Sequence, residues 1–150
     1  MSLLVGKKAP EFSLTAVVNG GEIVKDYSLS QFEGNKYVLL FFYPKDGTPI
    51  CTIENQDFSA NHRQFLDNNT VVFGVSRDDL ASHEAFKKAL NIPFELISDT
   101  QGLLCEHFSV LQAKQRGQES FQSLCRSTFL IDENGLLLRE WRNVSVRDHV

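Results

Sequence analysis

"KYVLLFFYPKDGTPICTIENQDF", residues 36–58, decides how this chain folds. Its first eight residues are a near-continuous apolar run, the pattern of a central strand covered on both faces. Pro-Lys-Asp-Gly-Thr-Pro then turns the chain. Beyond it Cys51, Asn55, Phe58, His62 and Phe65 recur at spacings of four and three, which predicts a helix with that stripe against a sheet.

Working outward, a second apolar run at 70–76 reads as another central strand, with further strands at 22–27 (weak), 94–98, 126–132 and 136–142. A helix is predicted over 78–91, with acidic residues early, lysines late and Pro93 just beyond its end, and a short one over 100–108. Asn134-Gly135 marks a hairpin. Strand, helix, strand, helix, strand and hairpin predict an α/β fold, a central mixed β-sheet flanked by helices. With no linker or repeat, residues 1–150 read as a single domain.

A formal net charge of -4 without blocks of like charge points away from nucleic acid and anionic membranes, toward a small neutral or weakly polar substrate. The N-terminus has a short apolar patch before two lysines, the reverse of a signal peptide, and no segment has the length of a membrane span. A cytoplasmic location is expected. Cys51, Cys105 and Cys125 form neither a C-x-x-C pair nor a zinc spacing, so no metal site or disulfide scaffold is predicted. They are buried structural cysteines, or one reactive thiol with bystanders.

If the helix starts near Thr48, Cys51 lies in its first turn, where free backbone N–H groups and the dipole favour an anion. Thr48 can serve as N-cap or turn its hydroxyl toward the sulfur. Pro44 and Pro49 stiffen the loop that presents the thiol. The alternative is that Cys51 is a small apolar residue on the sheet-facing stripe.

Pro44, Thr48 and Cys51 form P-x-x-x-T-x-x-C, which resembles the peroxidatic motif of the peroxiredoxins. GKKAPEFSL (6–14), the Glu three residues after Cys51, and RSTFLIDENG (126–135) are also similar to that family. The T-P-x-C-T form and HEAFKKALNIPFELISD point to its bacterioferritin-comigratory, or Q-type, branch. The resemblance implies a thioredoxin-like fold and a thiol peroxidase acting on hydrogen peroxide or small alkyl hydroperoxides. It implies that Pro44, Thr48, Cys51 and Arg126 surround the peroxide, with Cys51 as nucleophile, Thr48 bonded to sulfur and peroxide, and Arg126 holding the thiolate and developing charge. Glu54, either an exposed first-turn carboxylate or a group orienting Arg126, is a supporting residue. No cofactor is implied.

The second cysteine common in this branch is absent, Gln56 standing at one of its usual positions and Phe86 to Lys88 covering the other. A single-cysteine cycle completed by an external thiol, such as thioredoxin, glutaredoxin or a small thiol, is therefore expected. Cys105 and Cys125 remain candidates for resolving the sulfenic acid, Cys105 being favoured as packing and Cys125 as facing away from Arg126. Ser109 stands where relatives commonly have Gly. His62, His83, His107 and His149 are read as surface or edge residues. A redox relay passing oxidation to a partner protein is the competing function, and a monomer or weak homodimer is expected.

Overall fold

The computed structural model describes residues 5–9, 13–17, 23–28, 32, 34–142, 144–145 and 149–150. In chain order these form β1 (Ser13–Val17), β2 (Ile23–Ser28), β3 (Tyr37–Phe42), α1 (Pro49–Ala60), α2 (His62–Asp67), β4 (Thr70–Ser76) and α3 (Leu80–Leu90). There follow β5 (Glu95–Ser98), α4 (Leu103–His107), β6 (Leu111–Arg116), β7 (Glu119–Leu124), β8 (Ser127–Ile131) and β9 (Leu137–Trp141). The main sheet has the order β2-β1-β5-β4-β3-β8-β9. It is mixed: β3 pairs in parallel with β4 and antiparallel with β8, and β4 in parallel with β5.

Alternation along β3 sends its side chains to two separate cores. Val38, Leu40 and Phe42 face one, with Phe73, Phe108, Phe129 and Cys105. Leu39 and Phe41 face the other, joined by Tyr43, Cys51 and Phe58 beside α1, Phe65 of α2 and Phe86 of α3. So the three larger helices cover one face, while the short α4 lies on the other. Phe41 stacks on Phe58, ring centroids 4.2 Å apart, and this contact seats α1 on the sheet.

The stripe predicted from Cys51 to Phe65 does face the sheet, but the helix breaks at Asn61 instead of running through. Asn55 Nδ2 donates to the Cys51 carbonyl, Ser59 Oγ to that of Asn55 and Asn61 Nδ2 to that of Asp57. Side chains that bond carbonyls one turn back compete with the helical ladder and bend it. The sequence reading also missed β1 and the β6–β7 hairpin. The hairpin's turn signal is Gly117, at φ 63°. Its strands are almost wholly exposed, so they carry no alternation of apolar and polar residues to betray them.

One expectation needs correction: His83 is not at the surface but fully buried. His107 is exposed, and His62 and His149 are partly buried. None of the helices among the described residues is long and apolar enough to cross a membrane.

Candidate active site

The site grows from the exit of β3. Tyr43, buried, directly follows the strand, its N–H still bonded to the Val75 carbonyl, and Pro44 bends the chain out into an exposed turn. Gly47, at φ 78°, adopts a conformation that residues with a Cβ resist. Thr48 is extended (φ -74°, ψ 151°) and is the N-cap position of α1, with Pro49 opening the helix. Proline is at home there, since its missing N–H has no helical acceptor to lose. Cys51 therefore sits in the first turn, as the spacing suggested, and it is fully buried.

Thr48 occupies the cap position without capping through its side chain. Its hydroxyl donates to the Lys45 carbonyl at 2.9 Å, closing the turn instead. That leaves the oxygen's lone pairs to accept.

Arg126 enters from the opposite end of the chain, in the connection just before β8. Its Nη2 donates to Cys51 Sγ at 3.3 Å and its Nη1 to Glu54 Oε1 at 2.6 Å. Of the two sequence alternatives for Glu54, the structure shows the one that orients Arg126: the carboxylate is fully buried, with one of its two oxygens on the guanidinium. Among the described residues its Oε2 has no hydrogen-bond partner. Burial outweighs the pull of Arg126 and lifts the Glu54 carboxyl to about 7. What the arrangement can do is hold negative charge: a guanidinium fixed by a carboxylate faces a sulfur at the positive end of a helix.

The other two thiols lie elsewhere. Cys105 belongs to the core on the other face of the sheet from Cys51. Burial pushes its thiol far up, with the hydrogen bond to Asp99 and that residue's charge adding to the effect. Cys125 lies beside Arg126 but is half-buried and donates to Gln112 Oε1 at 3.3 Å.

A group that the sequence reading missed surrounds the loop. Asp46 accepts from Tyr43 Oη at 2.6 Å and Ser82 Oγ at 2.8 Å, and its Oδ2 lies 2.7 Å from His83 Nδ1. Its backbone N–H donates to Asp78 Oδ2 at 2.8 Å. A signal existed in α3: His83, Phe86 and Lys87 fall on its buried side at spacings of three and four. Asp46, by contrast, looks like any turn aspartate.

Comparison with known proteins bears on this geometry. The model of the AhpC/TSA family matches residues 5–139. Peroxiredoxin Bcp of Bacillus subtilis is 43% identical over 150 residues, covering 100% of this chain and 92% of that protein. Among solved structures, Xanthomonas campestris peroxiredoxin Q superposes with a TM-score of 0.83 at 34% identity, over 92% of this chain and 84% of that one. A structure from a study of the alkyl peroxide reduction activity of Xanthomonas campestris bacterioferritin comigratory protein has the same TM-score, 0.83, at 33% identity and equal coverage, 92% and 84%.

Proposed function

Because this chain belongs to the AhpC/TSA family, in its bacterioferritin-comigratory peroxiredoxin branch, we propose that Cys51 is its peroxidatic thiol. The protein has the thioredoxin-like fold of that family and is a thiol-dependent peroxidase, taking a peroxide as substrate and a thiol as reductant. The observation that carries the assignment to Cys51 is the contact of Arg126 Nη2 with its sulfur.

In the proposed cycle the Cys51 thiolate attacks one oxygen of ROOH. An S–O bond forms, the O–O bond breaks, and RO⁻ leaves to take up a proton as ROH, water when R is hydrogen. Arg126 lies beside the charge throughout, and such fixed donors aimed at developing charge are the larger part of many rate enhancements. Thr48, whose hydroxyl donates to the Lys45 carbonyl, offers a lone pair to the O–H of the peroxide and so orients it. Pro44 limits the freedom of the loop. Cys51 is left as a sulfenic acid. An external thiol, such as thioredoxin, glutaredoxin or a small thiol, condenses with it, releasing water and forming a mixed disulfide. A second thiol then restores Cys51 and leaves as a disulfide.

The separation of Cys51 and Cys105 across the sheet supports a cycle with one cysteine of the chain, since their disulfide needs the core opened. Small alkyl hydroperoxides join hydrogen peroxide as substrates. The chain acts as a monomer or weak homodimer in the cytoplasm. A relay function uses the same pocket and differs in turnover: a relay oxidises once and passes its oxidation to a partner.

Intact-mass analysis tests the cycle. Reduced protein given one equivalent of hydrogen peroxide with a sulfenic-acid trap is expected to carry one adduct, on Cys51, and Cys51→Ser none. An internal disulfide in high yield overturns the single-cysteine cycle; an adduct on Cys51→Ser overturns the assignment of the thiol.

A further inference from the structure

We propose that His83 and Asp46 form a positioning pair that fixes the loop between β3 and α1 and thereby holds Cys51 for attack, on the reading that Cys51 is the reacting thiol. Asp46 ties the turn of residues 44–48 to α3 and to the connection before it; the Thr48 hydroxyl bonds locally, to Lys45, and its carbonyl accepts from the Thr52 N–H of α1. Pro44, Lys45 and Gly47 are exposed. Asp46, through its side chain and its backbone N–H, thus ties the turn that delivers α1 and its thiol to its surroundings.

Asp46 is held from three directions, two at its side chain and one at its backbone N–H. Tyr43, from the end of β3, donates to Oδ1, while Ser82 and His83 of α3 meet Oδ2. Asp78, between β4 and α3, takes the Asp46 N–H, and is itself fixed by Ser76 Oγ at 2.6 Å. The His83 and Asp46 side chains are 0% and 4% exposed, so solvent does not weaken the pair.

The far nitrogen of His83 anchors the pair to the sheet. Nε2 lies 3.0 Å from the carbonyl of Ile97 in β5. A carbonyl can only accept, so Nε2 donates to it, and one proton lies between Nδ1 and Asp46 Oδ2. His83 thus bridges Asp46 to β5. The oxygens and nitrogens of Asp46, Asp78 and His83 lie within 4.8 Å of one another, close enough to suggest a cation site. With one imidazole nitrogen on the Ile97 carbonyl and the other on Asp46, His83 has no lone pair turned to a metal.

A buried polar pair of this kind contributes little net stability, because desolvation offsets the attraction. What it supplies here is a fixed position, and misplacing a reacting group by about 1 Å can cost about a hundredfold in rate.

The test is the second-order rate of Cys51 oxidation by hydrogen peroxide, from rapid quench into a sulfenic-acid trap, well below each variant's unfolding midpoint. His83→Ala and Asp46→Ala are expected to slow it about 10- to 100-fold. Asp46→Asn is expected to recover part of the loss in Asp46→Ala, since the amide keeps an oxygen for Tyr43 and can donate to a neutral His83. Ser82→Ala, which removes one hydroxyl from the pair, is expected to cost about threefold, on the order of half of a modest hydrogen bond. It keeps the readout available if a larger change fails to fold. A merely structural role lowers unfolding midpoints and leaves these rates alone. Wild-type rates in the folded variants overturn the proposal, as does Asp46→Asn reacting no faster than Asp46→Ala. Peroxide consumption persisting in Cys51→Ser instead strikes the assignment of the thiol, whatever the loop variants do.

Discussion

Arg126 is shared between a sulfur and a carboxylate, and its value to the proposed chemistry depends on both contacts. Arg126→Met keeps the bulk of the stem and removes the charge, and peroxide consumption is expected to fall about 10²- to 10³-fold, the usual cost of losing one aimed donor. Steady-state assays with a thiol reductant measure it. Glu54 has a different consequence, in stability. Its carboxyl is raised from 4.5 to about 7, so the fold binds its proton more tightly than the unfolded chain does. The resulting stabilisation is complete below about pH 4.5 and is lost as pH rises through about 7, a change of about 3 kcal/mol. Urea titrations of wild type against Glu54→Gln should show the wild type losing that much relative to the variant across this window; a constant difference contradicts the burial of an ionisable Glu54. Ser109 gives a third outcome. Its φ of 57° lies in the left-handed region, which accounts for the glycine expected there. Ser109→Gly should stabilise the protein by about 1 kcal/mol, raising Tm by about 2 to 4 °C by calorimetry.

Among the elements, β4 shows how closely the face under the site is packed. A Cβ on Gly74 would lie 2.8 Å from Leu96 Cδ2, 2.9 Å from Phe41 Cζ and 3.1 Å from Tyr43 Cε1. Gly74→Ala must displace three large side chains of one core, and overpacking of this kind costs about 1 to 3 kcal/mol. Chemical denaturation measures the loss. Helix α3 was legible from the acidic residues at its start, the lysines at its end and Pro93 beyond it; the structure adds its caps, Asp79 accepting from the Ser82 N–H and Asn91 ending the helix at φ 52°. The break at Asn61 was not legible, because Asn and Ser act on the helix through carbonyl contacts that spacing does not reveal. The β6–β7 hairpin escaped for a different reason. Strand prediction depends on a buried face, and this pair has almost none.

At the scale of the whole molecule, the sheet acts as a partition. Cys51 and Cys105 stand in cores on opposite faces, so Cys105→Ser is expected to leave thiol-dependent peroxide turnover unchanged while lowering the unfolding midpoint through a hydroxyl placed in an apolar core. Loss of turnover in that variant, with the fold intact, would contradict the single-cysteine cycle. The sequence by itself determined the sheet's central strands and the helix that starts at the loop, features that are local and written in periodicity, so that they survive without coordinates; Pro44, Thr48, Cys51 and Arg126 were singled out by the resemblance of their motifs to a family. Only the tertiary structure decided that Arg126 crosses 75 residues of chain to reach the sulfur, that Glu54 is buried behind it, and that His83 turns inward to Asp46. Each of these depends on which face of which element meets another, and burial and electrostatics take their values only once those faces have closed.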